Sequence, residues 1–94
     1  MAHRLTYGTV RETQRRVIHV LRIQDGLLAP MAVHDLAERM REKLASRGEV
    51  TADVVVIQGD TKETLALFGE PYAVSRVRTA LFNAALRFTP FDLD

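Results

Sequence analysis

Hydrophobic and polar positions recur with readable periods along most of the chain. Residues 16–24 run Arg-Val-Ile-His-Val-Leu-Arg-Ile-Gln, and this density of β-branched side chains favours a buried strand. A helix competes for the same region, because Thr9-Val10-Arg11-Glu12 has the spacing of a capping box and would align Val10, Val17 and Leu21 on one face. Asp25-Gly26 then supplies a turn. From Met31 to Ser46, Val33, Leu36, Ala37, Met40 and Leu44 recur at three- and four-residue steps. This predicts an amphipathic helix with Pro30 in its first turn and Arg47-Gly48 as its stop. Thr51 to Gln58, with Val54, Val55, Val56 and Ile57 in succession, predicts a strand. Gly59 to Lys62 forms a polar turn, and Glu63 to Phe68 an antiparallel return. Pro71 opens a last helix whose buried stripe is Val74, Val77, Leu81, Ala84 and Phe88. The tail, Arg87 to Leu93, reads as a short edge strand, where proline is tolerated.

The order strand, helix, strand, strand, helix, strand is the ferredoxin-like βαββαβ arrangement. It is an α+β fold with one antiparallel sheet and both helices on one face. Ninety-four residues enclose one core of this kind. Residues 16–94 are therefore read as a single domain, with residues 1–15 as a polar, basic arm or an extra strand. Helices on one face leave the other sheet face bare, although both faces of these strands carry branched aliphatics. A bare face of that kind exceeds the roughly few hundred Å² that monomers expose, and an open apolar edge invites strand pairing. The pattern thus predicts a homo-oligomer with Ile18, Val20, Val54, Val55, Val56 and Ile57 at its interface.

Composition narrows the chemistry. The chain has no cysteine, which excludes disulfides, thiolate catalysis and sulfur-ligated metals. Its apolar runs are far shorter than the ~20 residues of a membrane-spanning helix, and the first residues show no apolar signal core. A cytoplasmic protein without a membrane partner is the expectation. Net charge is only +1, but residues 1–24 carry five arginines against Glu12 alone. That basic head suits nucleic acid or a neighbouring subunit.

Catalytic signatures are absent. His19 lies in an aliphatic run, where a half-buried histidine bonded to the backbone is the commoner outcome. His34 and Asp35 diverge by about 100° on a helix and form no pair. The histidines have no metal-site spacing, Ser46 and Ser75 lack a nucleophile elbow, and no phosphate-binding glycine motif occurs. Neither a catalytic residue, a metal nor a cofactor is expected. An RNA-recognition motif would need aromatic residues on its first and third strands, and only Phe68 is present there. Phosphate contact through Arg11, Arg15 and Arg16 remains as the nucleic-acid alternative.

Ile23-Gln24-Asp25-Gly26-Leu27-Leu28-Ala29 resembles the Asp-x-Pro-Gly-Leu-Leu-Ala segment of ACT regulatory domains, although the proline before the glycine is missing. The resemblance implies an ACT-like topology and a small effector bound at a subunit interface by Asp25, Gly26, Leu27 and Leu28. The leading expectation is therefore a non-catalytic regulatory or interaction module that binds a small effector or a partner protein as a homo-oligomer. The alternatives are a nucleic-acid-associated protein, or an oligomeric enzyme with a site shared between subunits and built on His19 or His34.

Overall fold

A computed structural model of the chain describes residues 4–24, 26–49, 52–59 and 63–93. Seven elements follow one another: β1 (Leu5–Arg11), β2 (Val17–Ile23), α1 (Pro30–Ser46), β3 (Asp53–Gln58), β4 (Ala66–Phe68), α2 (Pro71–Phe82) and β5 (Thr89–Pro90). Residues 16–24 resolve in favour of the strand. The capping-box spacing at Thr9 starts no helix, because Leu5 to Arg11 pairs along its whole length with Ile23 to Val17. Within the head of the chain, Leu5–Arg11 forms an extra strand.

The five strands make one mixed sheet in the order β4-β3-β2-β1-β5. β2 and β3 lie parallel, joined across the sheet by α1, while the other neighbouring pairs are antiparallel. The architecture is α+β, as expected, but the sheet is not that of a simple βαββαβ fold. β3 is interior, flanked by β2 and β4.

The helices pack on opposite faces. Val33, Ala37, Met40 and Leu44 of α1 meet Leu21, Ile23, Val54 and Val56. Ala73 and Val77 of α2 meet Ile18, Val20, Val55 and Ile57. Strands buried on both faces read as continuous hydrophobic runs, and this accounts for four aliphatics in succession at Val54 to Ile57. The expectation of a bare apolar face is corrected here. The six residues assigned to an oligomer interface are 0–2% exposed within the single chain. The apolar surface that argued for self-association is thus the floor beneath α1 and α2.

Other differences are local. α2 stops at Phe82, before the expected Ala84 and Phe88. Ala84 takes a left-handed φ of 51°, which a continuing helix does not allow. Phe88 still reaches the α2-side core from the following segment. β4 is three residues, shorter than the expected Glu63 to Phe68, and residues 60–62 of the turn lie outside the described ones. The sheet's two margins are short, and one carries Pro90, which protects them from pairing with another chain. No helix among the described residues is long and apolar enough to cross a membrane.

A covered face has a measurable consequence. Ile57→Ala should cost about 2–5 kcal/mol in urea unfolding, as expected for a side chain enclosed in a core. The unfolding midpoint should not depend on protein concentration. A cost well under 1 kcal/mol, or a midpoint that climbs with concentration, would restore the exposed-interface reading.

Candidate functional site

The start of β2, the start of β3 and the end of α1 converge around His19. This residue shares a sheet face with Leu21 and Ile23 and is only 4% exposed. Tyr7 stands diagonally across the β1–β2 ladder, since Thr9 is the direct partner of His19. The Tyr7 hydroxyl lies 2.5 Å from His19 Nδ1. The two rings stack at 5.8 Å, and Phe91 stacks on Tyr7 at 4.9 Å.

The other ring nitrogen faces Glu49. Its Oε1 is 3.6 Å from His19 Nε2, too long for a hydrogen bond, and Nε2 is buried without a hydrogen-bond partner among the described residues. The C-terminal cap of α1 puts Glu49 there. Gly48 adopts a φ of +89°, its N–H bonds to Ala45 O at 3.0 Å, and the Glu49 N–H bonds to Leu44 O at 2.9 Å. These two bonds are the Schellman pattern, which turns the chain back across the helix end. The glycine stop was legible in the sequence; what Glu49 would face after it was not.

The tautomer follows from charge. A carboxylate opposite Nε2 favours a proton on that nitrogen, so Nδ1 is the acceptor and the Tyr7 O–H donates to it. Burial, with the nearby Glu49 charge adding to it, raises the Tyr7 pKa and keeps the hydroxyl protonated for this role. Burial also lowers the His19 pKa below its ordinary value, and it outweighs the opposing pull of Glu49. The imidazole at neutral pH is therefore uncharged and presents Nε2–H, a donor, toward Glu49.

Around it opens a pocket of about 510 Å³ lined by Arg15, Arg16, Val17, Gly48, Glu49 and Ala52 together with His19. The β1–β2 turn that carries the arginines is tightly organised. Thr13 Oγ1 accepts the N–H groups of Arg15 and Arg16 at 3.3 and 3.0 Å, and Arg16 O accepts those of Glu12 and Thr13. Glu12 ties the turn to α2, its carboxylate accepting from Tyr72 Oη at 2.9 Å and Arg76 Nε at 2.8 Å. Those bonds, Arg76 first, hold the Glu12 carboxyl below the usual range. Arg16 pairs with Asp53 at 3.2 Å and lies over the Tyr72 ring at 4.8 Å.

The residues singled out by sequence meet different fates. Of the proposed phosphate contacts, Arg11 bonds to Gln14 O and Arg16 to Asp53. Arg15 reaches the pocket with its guanidinium unpaired among the described residues. His34 is exposed on α1 beside a second pocket of about 440 Å³, apart from His19. Asp25 lies outside the described residues. Gly26 takes a φ of 77° and Leu27 is 64% exposed. The Leu28 N–H, however, donates to Gln58 Oε1 at 2.8 Å, and Leu28 O accepts from Gln58 Nε2 at 3.3 Å. The Leu28 backbone is thus bound to the buried Gln58 side chain. The described residues hold no cluster of three or more histidine, aspartate or glutamate side chains arranged to take a metal. No protein family, curated protein or solved structure matches this chain.

His19 ties the site to stability. Because its folded pKa is depressed, the unfolded chain binds the extra proton as pH falls below about 6.5, and stability drops through that window. Unfolding midpoints should therefore decline from neutral pH toward the folded-state pKa, and His19→Gln should flatten that decline. A midpoint that rises on acidification would show that Glu49, not burial, dominates.

Proposed function

We propose that this chain is a non-catalytic module that binds a small ligand in the pocket at His19. One observation carries the reading: His19 lines the pocket, and its buried Nε2–H has no hydrogen-bond partner among the described residues. Buried polar atoms are nearly always paired, and an orphaned one costs about 1–3 kcal/mol. A ligand acceptor that completes the bond recovers that cost, so the unbound protein is poised for an occupant.

Catalysis by His19 fits less well. A general base needs a lone pair directed at the substrate, and here the lone pair on Nδ1 is engaged by Tyr7 inside the sheet. The nitrogen facing the pocket already carries its proton. Self-association is no part of this reading, since the aliphatic face that suggested it is covered within one chain.

The test is side-chain nitrogen NMR of His19 against a fragment set that includes anionic, neutral and cationic members. Hits should move the Nε2 resonance and the backbone amides of Arg16, Val17, Gly48 and Glu49 together. A screen in which His19 stays still, while other surfaces respond or none does, overturns the proposal.

A further inference from the structure

Resting on that reading, we infer that the group seated against His19 is an oxyanion, a phosphate or carboxylate oxygen clamped between Nε2–H and the Arg15 guanidinium. The chain itself displays the chemistry. A carboxylate of its own, Glu49, approaches Nε2 to 3.6 Å without bonding, and its side chain is 47% exposed. Being tethered to a helix cap, Glu49 approaches the donor without reaching it. A free oxyanion has no tether and takes the position at full hydrogen-bond distance, displacing Glu49 toward solvent.

Arg15 supplies the second half of the clamp. It lines the same pocket, and its fork of N–H donors matches the oxygens of a carboxylate or phosphate. The turn beneath it is fixed by Thr13 and by the Glu12 contact to α2, so the guanidinium is anchored on ordered backbone. The surrounding charge agrees in sign. Arg15 and Arg16 face the pocket, and the Arg47 charge reaches Tyr7 behind His19, while Asp53 offsets Arg16 and Glu49 is the opposing carboxylate. The three arginines outnumber the two acids, which favours an anion.

This arrangement makes a signed prediction that a purely structural Glu49–His19 contact would not. Inorganic phosphate and acetate, titrated separately near neutral pH, should move the His19 Nε2 resonance saturably. Glu49→Gln should tighten that binding about fivefold by removing the competing charge. Arg15→Ala should weaken it about tenfold or more, with Arg15→Lys in between. Circular dichroism of each variant confirms that the fold survives; both positions are exposed, so the variants should fold.

Tighter binding of phosphate than acetate assigns a phosphate-bearing ligand, and the reverse a carboxylic acid; either supports the inference. Weaker binding in Glu49→Gln overturns it. If only neutral or cationic fragments move His19, the oxyanion is wrong and the binding pocket stands. If nothing moves His19, both fall. A single-stranded oligonucleotide that binds with steep salt dependence, where inorganic phosphate does not, also overturns it in favour of a polyanion.

Discussion

The parallel pairing of β2 with β3 is the constraint on which the rest of the structure depends. Two adjacent parallel strands cannot be joined by a hairpin, so the chain must cross over, and α1 is that crossover. Both strands are aliphatic on both faces, so a single helix layer leaves half of their surface wet. α2 supplies the second layer, and the two clusters sort cleanly by strand parity. Leu21, Ile23, Val54 and Val56 lie under one helix, and Ile18, Val20, Val55 and Ile57 under the other. Fully burying each such side chain is worth about 1.5–3 kcal/mol, far more than the surface ion pairs can offer.

The two layers are secured differently. α1 buries four side chains along its stripe, whereas α2 buries only Ala73 and Val77 fully. α2 is correspondingly tied down by polar contacts as well, chiefly Tyr72 and Arg76 on Glu12. The same contacts brace the β1–β2 turn that presents Arg15 to the pocket. The packing of the second face and the geometry of the candidate site therefore share one set of residues. His19 sits where these requirements meet: its ring lies on the α1 side of the sheet, sealed by Tyr7 and Phe91, with its second nitrogen directed at the end of α1.

The pocket combines burial with incompleteness. One end of the imidazole is satisfied within the sheet, which fixes the tautomer and removes a general base. The other end is a donor whose nearest acceptor stops short. Nothing in the local sequence marks this arrangement, because Tyr7, His19 and Glu49 are separated by twelve and thirty residues. In the segment that did carry a recognisable string, Gly26-Leu27-Leu28, the Leu28 N–H and C=O are taken by Gln58.

The sequence by itself determined most of the element types, though it left residues 1–15 as an arm or a strand and let a helix compete for 16–24. β-branched density made strands of Val17–Ile23 and Asp53–Gln58, the three- and four-residue recurrence made a helix of Pro30–Ser46, and Gly48 and Pro71 marked a helix end and a helix start. These are local properties, encoded within a few residues of where they act. The tertiary structure alone decided which strands are neighbours and on which face each helix lies, because periodicity names an apolar face without naming what covers it. An aliphatic run reads the same whether a second subunit or α2 lies over it; only the tertiary structure shows α2 there. The union of Tyr7, His19, Glu49 and Arg15 is likewise a product of strand register and helix capping, which bring together side chains that the sequence keeps apart.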